Sequence, residues 1–293
     1  MEDILTALAS RLKQKDNSAN KGTNGTLTVV AGSELYRGAA ALASSAALRC
    51  GVGIVRLVSV EKVISSAAAR LPECVFLPTE SENGAMSYRD FARKMPAFSK
   101  SRAVLAGCGM TDCADTGNII AELIKYGGYQ LIIDADGLNS IKNRPELLKS
   151  AALPPVITPH IGEMARLTGA STDAIKSDRE KTAAEFSRKY NCITVLKDCK
   201  TVISSPEGKL FVCDRPNAGL AKGGSGDVLS GIISSFAAQG YDAFDAAVCG
   251  TALHSLAAES AREKLTEYSM LPSDIVAEIP GVFARIGKTR NYR

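Results

Sequence analysis

Short apolar runs alternate with longer amphipathic segments along almost the whole chain. The runs have the length of buried strands, and the segments repeat their hydrophobic residues at the spacing of one helix face. Strands are predicted at residues 27–31, 54–58, 103–106, 131–133, 156–158, 193–197, 201–204 and 209–213. Helices are predicted at residues 38–49, 61–70, 114–126, 173–190, 226–238, 242–262 and 273–286. We therefore expect an α/β fold.

The order of these elements predicts how the sheet is built. Strands that alternate with helices form a mostly parallel central sheet covered by helices on both faces. Only Pro206-Glu207-Gly208 separates the last two strands, which predicts a hairpin and an antiparallel edge. No linker rich in Pro, Gly or Ser divides the chain, so we expect a single domain over residues 1–293. Ligands of such sheets bind beyond the carboxyl ends of the strands.

Composition argues against several classes of protein. Hydrophobic residues make up 45% and charged residues 23% of the chain, as in globular domains with a substantial core. No apolar stretch reaches the roughly 20 residues needed to cross a bilayer, and the polar residues 1–20 lack the apolar centre of a signal peptide. The eight cysteines contain no CxxC pair and are expected to be reduced thiols. A net charge of +4, with 5% aromatic residues and no Trp, argues against nucleic-acid binding. We expect a cytoplasmic enzyme that binds neither nucleic acid nor membrane.

A glycine-rich segment at residues 217–231, NAGLAKGGSGDVLSG, carries the clearest chemical signal. Glycines at a helix N-terminus expose backbone N–H groups, and the helix dipole adds partial positive charge, so residues 224–226 predict an anion hole for phosphate. Asp227 would follow in the first helical turn, where a carboxylate can take the proton of a hydroxyl that attacks phosphorus. The dipole alone also favours an aspartate there. Because no Lys-Ser or Lys-Thr follows the glycines, the segment is not a Walker A loop.

This segment closely resembles the signature of the NAD(P)H-hydrate dehydratase family, a branch of the ribokinase-like superfamily. Three further motifs resemble the family in the same chain order: residues 21–22 (KG) with 31–40 (AGSELYRGAA), residues 158–163 (TPHIGE) and residues 195–201 (VLKDCKT). The resemblance covers about residues 21–286 and implies a ribokinase-like fold. It also implies that ADP or ATP phosphorylates the ring hydroxyl of hydrated NADH or NADPH, with Mg²⁺ bridging the nucleotide phosphates. Loss of phosphate would then restore the reduced cofactor.

The resemblance also implies roles for individual residues. Asp227 matches the catalytic acidic position. The positions that contact the hydrated cofactor align with Ala40 (or its neighbour Ala39), Gly109, His160 and Asp227. The nucleotide would be held by Lys197, Asp198, Cys199, Lys200, Thr201 and Gly226, and the anion hole would be formed by Gly224, Ser225 and Gly226. No residue is assigned to a protein-bound metal site.

Four positions depart from the family pattern. Ile161 stands in place of a proline, Cys108 replaces the proline of a glycine–proline–glycine turn, and Ser225 replaces a threonine while keeping the hydroxyl. Asp198 stands in place of a glycine in the nucleotide loop, where an aspartate tolerates a positive φ at some cost. Two interpretations stay open, in which its negative charge weakens nucleotide binding or the aspartate only shapes the turn.

Other polar residues have two interpretations. Asp134, Asp136 and Asn139 follow a predicted strand, where they suit either Mg²⁺ and substrate or a helix cap. Glu163 suits either the site or the first turn of the following helix. His254 lies in an alanine-rich helical stretch and is interpreted as structural.

Two other functions stay open. A ribokinase-like kinase of a vitamin-precursor alcohol, of the hydroxyethylthiazole or hydroxymethylpyrimidine type, would share the anion hole and Asp227, although the loops at 158–163 and 197–201 favour the dehydratase. A nucleotide-binding protein without turnover is kept open by Asp198. Because only about twenty polar residues precede Lys21, no N-terminal epimerase domain is expected. A separate NAD(P)H-hydrate epimerase is the expected functional partner, and the chain is expected to form a homo-oligomer.

Overall fold

The structure, a computed structural model, describes residues 3–290, with side chains to residue 288. A nine-stranded sheet lies at the centre of the described residues, and a two-stranded hairpin lies apart from it. The strands are β1 (Thr26–Val30), β2 (Ile54–Val60), β3 (Val75–Thr79), β4 (Ser81–Glu82), β5 (Ala85–Met86), β6 (Ala103–Ala106), β7 (Gln130–Ile133), β8 (Val156–Ile157), β9 (Ile193–Leu196), β10 (Lys200–Ser204) and β11 (Leu210–Asp214).

The strand order is β11-β10-β9-β8-β7-β6-β1-β2-β3, and β4 pairs with β5 in the separate hairpin. The pairs from β3 to β9 are parallel, whereas β9–β10 and β10–β11 are antiparallel. The predicted mostly parallel sheet with an antiparallel edge is therefore confirmed. All four residues of β6 are fully buried. Since consecutive side chains of a strand point to opposite faces, both faces of the sheet are covered there.

Helices and short 3₁₀ turns connect the strands. The helices are α1 (Ile4–Arg11), α2 (Arg37–Arg49), α3 (Glu61–Ala68), α4 (Tyr88–Lys94), α5 (Ala114–Tyr126), α6 (Asp136–Ser140), α7 (Ile161–Thr168), α8 (Thr172–Ser177), α9 (Arg179–Tyr190), α10 (Ser225–Ala238), α11 (Ala243–Ser269) and α12 (Pro272–Arg290). The 3₁₀ turns are Met95–Lys100, Pro145–Ser150 and Ala218–Leu220. Helix α10 packs against β1, β6 and β7 and against α2 and α11, while α9 packs against β9 and β10.

Several features differ from the sequence prediction, among them a divided helix, an edge strand and an N-terminal helix. The helix predicted over 173–190 is two helices, because Asp178 has φ −144° and ψ 70° and caps α9 by accepting a hydrogen bond from Lys181 N. Strand β3 was not predicted, because it contains Pro78 and only one of its five residues is buried, so it lacks the apolar run of a central strand. Helix α1 lies in the N-terminal stretch interpreted as only polar, where Ile4, Ala7 and Leu8 are buried.

The carboxyl ends of β6, β7, β8 and β9 lie side by side because these strands are neighbours and parallel. Residues 107–109 follow β6, Asp134 follows β7, His160 follows shortly after β8 and Lys197 follows β9. This edge of the sheet therefore gathers four of the predicted site segments. Within the described residues, no helix combines the length and the apolar character that a membrane crossing requires.

Candidate active site

The N-terminus of α10 meets the carboxyl ends of β7 and β9. A Cβ placed on Gly226 would lie 3.3 Å from Lys197 Nζ and 3.7 Å from Asp134 Oδ2. Gly224 caps the helix with φ +102°, and a Cβ there would lie 2.6 Å from Leu42 Cδ1. Position 224 thus needs glycine both for its conformation and for space. The structure therefore brings the predicted anion hole next to Lys197, with the positive end of the helix dipole directed at the same place.

A buried ion pair anchors this junction. Lys197 Nζ donates a hydrogen bond of 2.8 Å to Asp134 Oδ1, and the Ser230 hydroxyl donates to Asp134 Oδ2. Burial acts to raise the pKa of Asp134, but the Lys197 ammonium and these hydrogen bonds hold that pKa below its usual value. Asp134 is therefore a fixed negative charge that holds the Lys197 side chain in place.

Asp227 lies beside this pair. Its carboxylate, the Asp134 carboxylate and the Cys108 thiol have atoms within 4.8 Å of one another. Burial, and then the charge of Asp134, raise the pKa of Asp227 to about 6, while a hydrogen bond with Cys108 acts in the opposite direction. Burial and the two carboxylates raise the pKa of the Cys108 thiol, so it stays protonated and serves as a weak donor. Asp227 is thus a carboxylate poised near neutrality, which suits a general base.

His160 caps helix α7 and presents the rest of its ring to the site. Its ring Nδ1 accepts hydrogen bonds from Gly162 N at 2.9 Å and Glu163 N at 3.3 Å. The backbone N–H of His160 donates to Glu163 Oε2 at 2.8 Å. Burial, and then the charge of Lys197, lower the pKa of His160. The imidazole is therefore neutral at pH 7, with Nε2 as its donor. Glu163 is buried and completes this capping box, so its observed contacts are those of a helix start.

The nucleotide loop at 197–201 divides into residues that face the cavity and one that does not. Lys197, Asp198, Cys199 and Thr201 line the cavity described below. Lys200 is not among its lining residues and pairs instead with Glu180 Oε1, 3.3 Å from Nζ. In this structure Lys200 thus pairs with α9, and its contact with the nucleotide stays a prediction.

Asp198, which stands in place of the family's glycine, forms an ion pair with Arg179. Arg179, the first residue of α9, donates to Asp198 Oδ2 from Nε at 2.9 Å and from Nη2 at 2.5 Å. Burial acts to raise the pKa of Asp198, but the hydrogen bond and charge of Arg179 hold it below its usual value. The negative charge of Asp198 is therefore paired with Arg179 in this loop.

A cavity of about 790 Å³ extends from the anion hole along the nucleotide loop, a size typical of small-molecule sites. It begins at His160, Lys197 and Gly226. It ends between the β10–β11 edge and helix α11, where its wall includes Cys213, Asn217, Thr251, His254 and Ser255.

The comparison with known protein families decides what kind of protein this is. The family model described as NAD(P)H-hydrate dehydratase matches residues 27–281. The chain belongs to the NAD(P)H-hydrate dehydratase family.

Individual members of the dehydratase family extend this result. The ADP-dependent (S)-NAD(P)H-hydrate dehydratase of Xanthomonas campestris is 31% identical over 286 residues, which cover 97% of both chains. A crystal structure of the ADP/ATP-dependent NAD(P)H-hydrate dehydratase from Bacillus subtilis, co-crystallized with ATP/Mg2+, has a TM-score of 0.82 at 26% identity and covers 97% of each chain. A ribokinase-like superfamily protein from Enterococcus faecalis has a TM-score of 0.83 at 23% identity, over 96% of this chain and 94% of that one, which shows the fold. The chain spans about half the length of other curated relatives that it matches, the bifunctional NAD(P)H-hydrate repair enzymes.

Two of the positions expected to contact the hydrated cofactor, Gly109 and Ala40 (or Ala39), belong to the segments near Cys108, the neighbour of Asp227. Gly109 follows Cys108 and has φ +61°, and a Cβ on it would lie 2.7 Å from Tyr36 Cβ and 2.9 Å from Ala39 Cβ. Ala40 is completely buried, whereas Ala39 is partly exposed. Ala39 is therefore the residue of this pair with exposed surface, and a contact of either residue with the cofactor stays a prediction.

The sequence left two interpretations open for Asp134, Asp136 and Asn139 and indicated a structural role for His254. Asp136 accepts a 2.8 Å hydrogen bond from Thr111 N, and Asn139 accepts one of 2.9 Å from Arg166 Nε, so both brace loops. Asp134, by contrast, is the centre of the junction. His254, interpreted as structural, is buried in the cavity wall. Only the packing of α10 against α11 brings His254 there, which a single-sequence pattern does not reveal.

Proposed function

We propose that this protein uses ADP or ATP to dehydrate hydrated NADH or NADPH, restoring the reduced cofactor. The observation that carries the proposal is the position of Asp227. It lies at the start of α10, between the nucleotide-sized cavity and the Gly109 turn, with its pKa raised to about 6. Membership of the dehydratase family and the ADP-dependent relatives support the choice of reaction.

The arrangement accounts for a phosphoryl transfer followed by elimination. Asp227 takes the proton of the ring hydroxyl as its oxygen attacks the terminal phosphorus, and the bond from that phosphorus to the nucleotide breaks. First-turn N–H groups of α10, with the Gly226 backbone, stabilise the charge on the phosphoryl group in flight. Departure of the phosphate with the carbon–oxygen electron pair, and of a proton from the neighbouring ring carbon, restores the double bond.

Lys197 is placed to meet the nucleotide phosphates. Its ammonium is already held by Asp134 at 2.8 Å, so its position is fixed before any ligand binds. Such preorganisation avoids reorientation of the charge during the reaction. His160 is similarly fixed by its capping box, and its neutral Nε2 supplies a donor at the same end of the cavity.

The described residues do not build a Mg²⁺ cage. Mg²⁺ prefers oxygen ligands in octahedral geometry and usually keeps several waters. The group formed by Cys108, Asp134 and Asp227 includes a protonated thiol, and Asp134 already accepts bonds from Lys197 and Ser230. We expect the nucleotide to carry Mg²⁺ on its own phosphates, and no step above depends on a metal held by the protein.

The test is recovery of the reduced-nicotinamide absorbance when hydrated NADH or NADPH is mixed with the protein, Mg²⁺ and ADP or ATP. We expect recovery with the wild-type protein and a loss of about 10³-fold or more with Asp227→Asn, which keeps the shape but not the base. Absence of recovery from a folded wild-type protein with either nucleotide would contradict the proposal. A stable phosphate ester formed from a thiazole or pyrimidine alcohol would favour the kinase instead.

The wider setting of the protein stays a prediction. A separate epimerase of the hydrated cofactor as functional partner, a homo-oligomeric state and a cytoplasmic location are all expected from the sequence resemblance alone.

A further inference from the structure

The buried thiol of Cys108 lies against the proposed base of the site. Cys108 is completely buried, and its Sγ belongs with carboxylate oxygens of Asp134 and Asp227 to a group whose atoms all lie within 4.8 Å of one another. An ionised carboxylate only accepts hydrogen bonds, whereas a neutral thiol carries one weak donor. The thiol therefore has a donor to offer at this place, and no step proposed above uses it.

The two carboxylates differ in their need for that donor. Asp134 already accepts hydrogen bonds from Lys197 and Ser230, and Cys108 Sγ lies 3.9 Å from its Oδ2. At Asp227, a hydrogen bond with Cys108 acts to lower the pKa and so favours the ionised carboxylate. The thiol has a single proton to donate, and that proton adds more to Asp227 than to the carboxylate that already has two donors.

The ionisation of Asp227 depends on a small number of surrounding groups. Burial, and then the charges of Asp134 and Asp136, raise its pKa to about 6, while the Cys108 thiol and the Lys197 charge act in the opposite direction. Burial and the two neighbouring carboxylates raise the pKa of the thiol itself, so the thiol still carries its proton where Asp227 titrates. Loss of one donor therefore changes the fraction of Asp227 that is ionised near neutral pH.

The backbone fixes the thiol in this place. Gly107 has φ +121°, and a Cβ on it would lie 1.9 Å from the carbonyl oxygen of Asp134, so the turn needs glycine there. Gly109, on the other side of Cys108, has φ +61°. The Cys108 carbonyl accepts a hydrogen bond of 2.8 Å from Gly32 N. These constraints do not involve the side chain of residue 108, so we expect small side chains to be exchanged there without loss of the turn.

We infer that Cys108 is a positioning residue, whose thiol donates a hydrogen bond to Asp227 and holds that base in place and ionised to lower pH. The inference rests on the proposed function, in which Asp227 is the base. Cys108 stands in place of the proline of the family's glycine–proline–glycine turn, and proline has no side-chain donor. The thiol is therefore expected to extend the reaction to lower pH rather than to be required for it.

The first measurement follows the infrared S–H stretching band of the thiol in the whole protein. Subtracting the spectrum of Cys108→Ala from that of wild type isolates this band from those of the other cysteines. A hydrogen bond to an ionised carboxylate is stronger than one to a neutral carboxyl and lowers the S–H frequency further. We expect the frequency to fall as pH rises, with a midpoint near the pKa of Asp227 of about 6. The same subtraction in the Asp227→Asn background should show no such change.

The second measurement is the pH profile of kcat/KM for cofactor recovery. Cys108→Ala removes the donor, so its inflection should move up by about half to one pH unit, because a hydrogen bond to the ionised form favours that form. Below the inflection, kcat/KM should fall about three- to tenfold relative to wild type, and the loss should shrink as pH rises. Cys108→Ser keeps a donor and should keep the wild-type inflection. The matched control is Cys50→Ala, which removes a buried thiol at the end of α2, outside the cavity wall, and should leave the profile unchanged.

Three results would overturn the inference. The first is an S–H band of Cys108 that does not change as Asp227 titrates, and the second is a folded Cys108→Ala variant with the inflection of wild type. The third is a loss of equal size at every pH in which serine is no better than alanine, since this would show packing alone. A folded wild-type protein that restores no cofactor absorbance would instead overturn the proposed function, while the infrared titration would still decide whether the thiol donates to Asp227.

Discussion

Two sets of side chains around the cavity are built on opposite principles. The charged junction of Asp134, Lys197 and Asp227 is complete without a ligand, since both oxygens of Asp134 already accept hydrogen bonds. In contrast, the cavity-lining residues Ser225, Thr251 and His254 each have one buried polar atom without a hydrogen-bond partner. The fold thus pairs the charge of Asp134 and leaves neutral polar atoms unpaired.

This difference follows from the cost of burial. A buried charge without a counter-charge is far more costly than a buried neutral polar group without a partner. Lys197 and Asp134 are therefore paired with each other, whereas single neutral atoms of Ser225, Thr251 and His254 are tolerated unpaired. Removal of the Lys197 charge should accordingly damage the fold, and removal of the Thr251 hydroxyl should not.

The largest effect on stability is expected for Lys197→Met. It leaves Asp134 buried with no counter-ion, and breaking such a pair destabilises proteins by about 3 kcal/mol. Dehydratase activity should fall at least about 100-fold. Chemical denaturation and the cofactor-recovery assay measure the two effects. The double variant Lys197→Met/Asp134→Asn should regain much of the stability but none of the activity. If Lys197→Met is as stable as wild type, the charged junction is not the anchor described here.

A smaller effect of opposite sign is expected for Asp227→Asn. The pKa of Asp227 is raised from 3.8 to about 6 in the folded protein, so the folded chain holds this proton where the unfolded chain has lost it. The contribution of Asp227 to stability therefore falls as pH rises through about 4 to 6, and at pH 7 the ionised carboxylate destabilises the fold. The variant should be more stable than wild type at pH 7 and equal to it near pH 3. A variant less stable at pH 7 would contradict the raised pKa.

The smallest effect is expected at the Arg179–Asp198 ion pair of the nucleotide loop. Arg179→Gln leaves the Asp198 carboxylate unpaired beside the nucleotide, so KM for ADP should rise about fivefold with little change in kcat. The double variant Arg179→Gln/Asp198→Asn should restore KM, because it also removes the charge. Lys200→Ala is the matched control, since Lys200 pairs with Glu180 away from the cavity. A Lys200→Ala effect as large as that of Arg179→Gln would return Lys200 to the nucleotide site.

The sequence predicts the parts of this molecule that depend on local pattern. Buried parallel strands such as β6 are recognisable as apolar runs, and the glycine-rich start of α10 reveals the anion hole. The edge strand β3 is only partly buried, so it lacks a clear apolar pattern. The break at Asp178 depends on a single capping residue, which the hydrophobic pattern does not reveal. The resemblance to a family indicated Asp227, the nucleotide loop and Ala40 or its neighbour Ala39, and only the structure shows that Ala39 is the partly exposed residue of the two.

Contacts between residues that are distant in the chain could not be predicted from the sequence. The partner of Asp198, Arg179, lies 19 residues earlier in the chain, at the start of another helix. The place of His254 in the cavity wall depends on the approach of α11 to α10 at Gly250. Both are consequences of tertiary packing, where spacing along one element gives no information.

The most direct test of the account is the pH dependence of kcat/KM for cofactor recovery, which reports the ionisation of the free enzyme. For wild type we expect kcat/KM to fall as pH drops below about 6, because Asp227 must be ionised to take the hydroxyl proton. Glu163→Gln controls for the other nearby carboxyl, whose pKa burial raises to about 7, and should keep the inflection near 6. The residual rate of Asp227→Asn should be flat across this range. A wild-type profile without this inflection, or an Asp227→Asn profile that keeps it, would contradict the role of Asp227 as the base.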